Sequence, residues 1–313
     1  MPLIRRPAST ASRVGLACLT VVVLLGAAFS PTPAPAGRPV VPSPGPVAPP
    51  PSFAEVGLPT GVRMRYAVQG SPTGQPVILL HGYSDSWFSW SRVLPLFPAN
   101  LRVYALDLRG HGGTSRPETG YRLADMAGDV LAFLDAQGIP RTAVVGHSMG
   151  SLVAQHVAAR APGRVSRLVL VGSTPVVSEE LATQLGEALE AMDGSVSEEF
   201  AREFQASTIF HPVPDEFFRE VVATSLSVPL PVWKALLIGF SAPGSGAELA
   251  RISTPTLLLW GTRDAYSLRA DQDALLAGIA GSRLLPYAET GHAPHWERPE
   301  QFARDAVEFI AVP

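Results

Sequence analysis

Cysteine is nearly missing from this chain. Of 313 residues only Cys18 carries a thiol, inside an apolar run close to the N-terminus. The rest of the chain therefore has neither a disulfide framework nor a cysteine nucleophile. Lysine is as scarce: Lys234 stands alone, and 24 basic against 27 acidic residues leave a net charge of −3. No basic stretch is present to neutralise phosphates, which argues against a nucleic-acid partner. H-E-x-x-H, paired C-x-x-C and G-x-x-x-x-G-K-[ST] are all absent, so the sequence gives no reason to expect a metal, nucleotide or other cofactor. Charged residues make up only 16% and hydrophobic ones 46%, enough for a large core.

The first fifty residues read as an address and a spacer. Arg5, Arg6 and Arg13 precede an apolar run from Val14 to Phe29. Positive, then apolar, then small residues is the order of a secretory signal peptide, here over residues 1–30. As a helix the run would span about 24 Å, short of the ~30 Å hydrocarbon core. Ala34-Pro35-Ala36 offers a small-x-small cleavage site a few residues beyond the run. The expectation is export to a secreted or periplasmic location. An uncleaved membrane tether through residues 14–29 is the alternative. Residues 31–51 are rich in proline, which fixes φ and removes backbone donors, so they form an extended linker.

From residue 52 to 313 the pattern changes. Val62–Val68, Pro76–Leu80, Val103–Leu106, Thr142–Val145, Leu168–Val171, Thr256–Trp260 and Arg283–Pro286 read as strands. Several, such as Val77-Ile78-Leu79-Leu80, are continuous apolar runs, as strands buried on both faces are. Helix-length segments lie between them; in Asp125–Gln137, Met126, Val130, Phe133 and Leu134 recur at helical spacing. The alternation implies an α/β fold, with a mostly parallel central sheet and helices on both faces.

The sharpest chemical signal follows the strand Thr142–Val145: Gly146-His147-Ser148-Met149-Gly150, with a helix after it. In G-x-S-x-G the serine must stand on a strained turn so that its hydroxyl projects above the sheet, and glycines two before and two after leave room for that turn. The following helix starts at the nucleophile, where its free N–H groups favour a developing oxyanion. Ser148 is thus the candidate nucleophile. A nucleophilic serine needs a base, and the base an orienting acid. Asp264, after the strand Thr256–Trp260, and His292, in Thr290-Gly291-His292, supply them in the chain order Ser, Asp, His. His295 is a rival base. Asp271 and Asp273 are rival acids, although they sit at a helix start where acids serve as caps. His81 and His147 read as structural hydrogen-bonders. In His81-Gly82-Tyr83 the Tyr83 N–H, together with that of Met149, would form an oxyanion hole.

Together His81-Gly82-Tyr83, Asp107-Leu108-Arg109-Gly110-His111-Gly112, Gly146–Gly150, Gly261-x-x-Asp264 and Gly291-His292 resemble the α/β-hydrolase superfamily, from about Gly61 to the C-terminus. The resemblance implies that Asp107–Gly112 is a structural loop shaping the site wall. It also implies that residues from about 176 to 252 form a helical cap over the site. Haloalkane dehalogenases and epoxide hydrolases similar to this sequence use an aspartate nucleophile. The serine here points instead to ester, lactone, thioester or C–C bond hydrolysis.

Aromatic residues in the cap could line an apolar acyl pocket or form the cap's own core; Phe210 and Trp233 are the pocket candidates there. Trp87, after the oxyanion loop, could line the pocket entrance or wedge the loop against the sheet. The expected substrate is a neutral, apolar ester or lactone, cleaved through an acyl-enzyme. Three alternatives stay open: C–C bond hydrolysis on the same fold, a receptor-like protein that keeps the triad to hold a ligand, and acyl transfer to an alcohol or peroxide instead of water.

Overall fold

The structure is a computed structural model that describes residues 50–311. The expected signal sequence or anchor, and nearly all of the proline-rich linker, lie outside the described residues.

The chain runs β1 (Ser52–Gly57), β2 (Arg63–Gly70), β3 (Gln75–Leu80), β4 (Leu101–Leu106), α1 (Leu123–Ala136), β5 (Thr142–His147), α2 (Met149–Arg160) and β6 (Val165–Val171). Four helices follow before the sheet resumes: α3 (Glu179–Glu190), α4 (Glu198–Ser207), α5 (Asp215–Ser227) and α6 (Leu230–Ser241). The chain then completes the sheet with β7 (Thr256–Gly261), α7 (Arg269–Gly278) and β8 (Arg283–Tyr287), and ends with α8 (Pro294–Glu297) and α9 (Pro299–Ile310). The sheet has eight strands in the order β1-β2-β4-β3-β5-β6-β7-β8. The β1–β2 and β2–β4 pairs are antiparallel and all the others parallel.

The continuous apolar runs explain this sheet. Successive side chains of a strand point to opposite faces, so a strand covered on both sides needs apolar residues at every position. In β3, Ile78 and Leu80 join a core with Met126, Val130 and Phe133 of α1 and Val153 and Val157 of α2. Val77 and Leu79 join a second core on the other face, with Phe302, Ala306 and Phe309 of α9. β5 and β7 are buried at all six positions. β1, by contrast, pairs only with β2 and is exposed or half-buried throughout. It was not among the expected strands because its Ser-Phe-Ala-Glu-Val-Gly carries too little apolar patterning to stand out.

The sheet order also places the site. After β3 the chain adds β4 on one side and β5 on the other, leaving a crevice at the carboxyl ends of β3 and β5. Open α/β sheets bind ligands at such a switch point. The loop after β3 and the turn after β5 both open there. The helical insertion between β6 and β7 is built from two pairs, α3 against α6 and α4 against α5. Ser178 and Ser197 accept hydrogen bonds from the N3 amides of α3 and α4 and so start them. Among the described residues no single helix is long and apolar enough to cross a membrane.

Candidate active site

Ser148 sits between β5 and α2 with φ 51° and ψ −122°, a left-handed conformation that costs a non-glycine residue about 1–3 kcal/mol. The turn is held by Ser148 N–H donating to Val171 O at 3.0 Å and by Ser151 N–H donating to Ser148 O at 2.8 Å. Glycines permit it. A Cβ on Gly146 would lie 2.3 Å from Gly150 O, and one on Gly150 would lie 2.3 Å from Leu80 O. The two glycines thus keep the turn against itself and against β3.

His292 and Asp264 meet beside it. Asp264 Oδ2 lies 2.9 Å and Oδ1 3.0 Å from His292 Nδ1. A carboxylate cannot donate, so Nδ1 carries the proton and Nε2 is the basic nitrogen. Asp264 is fixed in turn by Tyr266 N–H at 2.8 Å, Ser267 N–H at 2.9 Å and the Ser267 hydroxyl. Ser148 and His292 line one cavity. Among the described residues no hydrogen bond links the serine hydroxyl to the imidazole. Such contacts are often long in an unliganded site and close on substrate binding.

The rival residues have other partners. His295 is fully buried, 3.1 Å from Ser89 Oγ, and lines neither cavity. Asp271 accepts the Leu268 N–H at 2.7 Å and caps α7, and Asp273 pairs with Arg269. Leu108 N–H donates to His81 Nε2 at 3.0 Å, so His81 Nδ1–H donates to Gly82 O at 2.8 Å. Burial holds His81, His147 and His295 well below the usual imidazole range, so all three are neutral.

Tyr83 and Met149 border the same cavity as Ser148. Among the described residues neither amide donates to a backbone carbonyl. Three consecutive residues of this β3 loop are bound to three different helices of the insertion. Tyr83 OH donates to Trp233 O at 2.6 Å, reaching α6. Ser84 Oγ lies 3.3 Å from Ser225 Oγ on α5. Asp85 Oδ1 accepts Gln205 Nε2 from α4 at 3.0 Å, and the same amide reaches Ser225 Oγ at 2.8 Å. The insertion and the loop thus form one hydrogen-bonded unit.

Two acids not singled out from the sequence shape the site. Glu297 accepts the N–H groups of Gly291 at 2.7 Å, His211 at 2.8 Å and Phe210 at 3.2 Å, joining the histidine loop to the segment after α4. Gly291 is required there by this close approach, because a Cβ would lie 2.6 Å from Phe210 N and 2.9 Å from Glu297 Oε1. Asp85 is buried, and desolvation raises its carboxyl to about 7. Its only signal in the sequence is an acid four residues after His81, too common a spacing to single out.

The cavity is walled mainly by apolar side chains, among them Leu152, Val177, Leu181, Leu185 and Leu237, with Phe204 and Phe240. This corrects the expected pocket. Trp233 is fully buried in the insertion's core, with its indole N–H on Ser225 O. Phe210 turns outward, 44% exposed, beneath the Arg263 guanidinium. Trp87 packs against Phe53 and Phe88 while its N–H donates to Asp107 Oδ1 at 2.7 Å, the wedging role. None of the three borders either of the two cavities that meet at Ser148, because each ring is turned toward neighbouring elements or solvent. The Asp107–Gly112 loop is likewise structural but forms no wall. It holds the β3 loop from behind, through Trp87 and His81. A buried, bidentate Arg109–Asp129 pair anchors it to α1.

Among the described residues no group of three or more His, Cys, Asp or Glu side chains is arranged to hold a metal ion. Comparison with known proteins agrees with the geometry. The chain is 30% identical over 263 residues to the dihydrolipoyllysine-residue acetyltransferase component of the acetoin cleaving system of Cupriavidus necator. That match covers 80% of this chain and 66% of the relative, so the chain spans just under two thirds of that protein's length. It is 30% identical over 273 residues to a non-heme chloroperoxidase of Streptomyces lividans, covering 80% of this chain and 96% of that one. Among solved structures, an esterase from a Rhodococcus species superposes with a TM-score of 0.71 at 28% identity, covering 83% of this chain and 98% of the esterase. A family model described as the alpha/beta hydrolase family matches residues 77–306, and the chain therefore belongs to the alpha/beta hydrolase family.

Proposed function

We propose that the protein is a serine hydrolase that cleaves a neutral carboxylic ester or lactone through an acyl-enzyme on Ser148. The observation that carries this reading is the meeting of three features at one cavity. They are a serine on a strained turn, an imidazole whose Nδ1 is held by Asp264, and the unengaged Tyr83 and Met149 amides. His292 Nε2 takes the Ser148 proton as the hydroxyl attacks the carbonyl carbon, and Asp264 stabilises the imidazolium that forms. The two amides receive the oxyanion, an effect worth about 3 kcal/mol per donor. The imidazolium protonates the leaving alcohol. Water, deprotonated by the same nitrogen, then releases the acid and restores the serine. The aliphatic cavity favours an uncharged, apolar group on one side of the scissile bond.

The test is hydrolysis of p-nitrophenyl esters from acetate to palmitate by the full chain, beside Ser148→Ala. The expected result is turnover with a chain-length optimum and a loss on the order of 10^6 in kcat for the variant. No Ser148-dependent turnover at any chain length would sink the ester reading and favour C–C bond hydrolysis or ligand retention. The proposal includes export, which rests on residues 1–30 alone and predicts activity outside the cytoplasm on fractionation of the producing cells.

A further inference from the structure

Ser148 borders two adjoining chambers. Both are bordered by Tyr83, Ser148, Phe204, Tyr266 and His292. The larger is aliphatic. The smaller is completed by Gly82, Asp85, His147, Gln205, Thr208 and Trp296. We propose that the smaller chamber is a subsite for a neutral hydroxyl group carried by the substrate close to its scissile carbonyl, and that Asp85 and Gln205 select it. This rests on the reading of Ser148 as an ester-cleaving nucleophile.

Donor and acceptor accounting favours a hydroxyl. His147 Nε2 faces the carbonyl of His292 at 3.1 Å, and a carbonyl only accepts, so the ring proton is on Nε2. Its Nδ1 is therefore a bare acceptor. It is buried and has no hydrogen-bond partner. Asp85 Oδ2 lies 4.0 Å from it and becomes a second acceptor once the carboxyl, raised to about 7 by burial, has ionised. An unpartnered buried acceptor in the chamber that Ser148 borders calls for a donor. The Asp85 carboxyl is itself held by Gln205, whose side chain is 1% exposed and cannot swing away without breaking its bonds to α5. The receptor atoms are thus fixed before the ligand arrives.

Charge and polarity narrow the ligand further. No Lys or Arg borders either chamber, so an anionic group would find no compensating charge there. A cationic group would sit beside the imidazole that must itself become cationic during the reaction. An alkyl group would desolvate Asp85 and His147 with nothing returned. A hydroxyl group satisfies all of these conditions.

The experiment uses the full chain and two matched pairs: ethyl hexanoate against 2-hydroxyethyl hexanoate, and hexyl acetate against hexyl glycolate. The pairs place the hydroxyl on the alcohol side or the acyl side. The expected result is a kcat/KM at least about tenfold higher for the hydroxylated member of one pair. That ratio should fall to near one in Asp85→Asn, which keeps the size and the Gln205 bond while replacing one carboxylate acceptor by a donor. Ratios of one or below for both pairs in the wild-type chain overturn the subsite, even where the plain esters are cleaved. A wild-type preference unchanged in Asp85→Asn overturns the assignment to Asp85. If the variant does not fold, the wild-type ratios alone still decide. Failure to cleave the plain esters at all would instead strike the ester reading.

Discussion

Asp85 carries a carboxyl held at about 7 by burial, against an ordinary aspartate near 3.8. Between these two values the folded chain keeps a proton that the unfolded chain has lost. The native state binds more protons in that window, so stability falls as pH rises from about 4 to 7. The difference of about three units corresponds to a loss of at most ~4 kcal/mol. Asp85→Asn removes the titration and keeps the acceptor for Gln205, so its melting temperature should gain on the wild type across that window. A difference between the two proteins that stays flat from pH 4 to 8 would refute this. Glu297 invites a second test at this scale. Its carboxylate takes three backbone N–H groups that hold the histidine loop. Glu297→Ala should cost about 3 kcal/mol of stability and lower kcat, whereas Glu297→Gln, which keeps one acceptor oxygen, should lose less of both. Thermal melts and ester kinetics on the pair check it. Neither acid was legible in the sequence, since a lone carboxylate carries no spacing signal. Ser148, Asp264 and His292 could be singled out because each follows directly on a recognisable apolar strand and lies beside glycine or a turn.

At the scale of elements, the four insertion helices do more than cover the cavity. Tyr83 OH donates to α6, Ser84 faces α5 and Asp85 takes a bond from α4. The position of the Tyr83 amide, the proposed oxyanion donor, therefore depends on how these helices pack. Tyr83→Phe keeps the amide and the ring contacts with Phe204, Trp233 and Phe240 but frees the Trp233 carbonyl. It should cost about 1–2 kcal/mol in stability and reduce kcat several-fold with little change in KM. An effect confined to KM would mean that the tie serves substrate binding alone. The helices of the insertion could be anticipated from their amphipathic spacing and capping serines. Their rotations could not, because the spacing of aromatics along a helix does not say which neighbour each ring will face. Phe204 and Phe240 reach the cavity, while Trp233 turns into the core and Phe210 turns outward.

Among the described residues the sheet lies between two apolar cores, and its strands differ widely in how deeply they are held. β5, with every residue buried and parallel partners on both sides, ends at Ser148. β1, at the opposite extreme, has one partner and little burial. Hydrogen exchange should find β5 amides protected to the level of global unfolding and β1 amides exchanging through local opening orders of magnitude faster. Equal protection in both would contradict the layered stability described here. The parallel sheet was legible because strands covered on both faces announce themselves as unbroken apolar runs. β1 was not, since an exposed edge strand needs no such run.

The three-point tie between the β3 loop and the insertion bears on how this protein can change. Members of a fold family can diversify by exchanging a lid while keeping the engine beneath it. Here the parts are not separable in that way. A foreign insertion would arrive without partners for Tyr83, Ser84 and Asp85 and would leave a buried carboxyl stranded in the chamber that Ser148 borders. New substrate ranges are therefore reached more readily by resculpting the aliphatic walls, at Leu181, Leu185 and Leu237, than by grafting. A graft that does succeed should be one that carries its own loop with it.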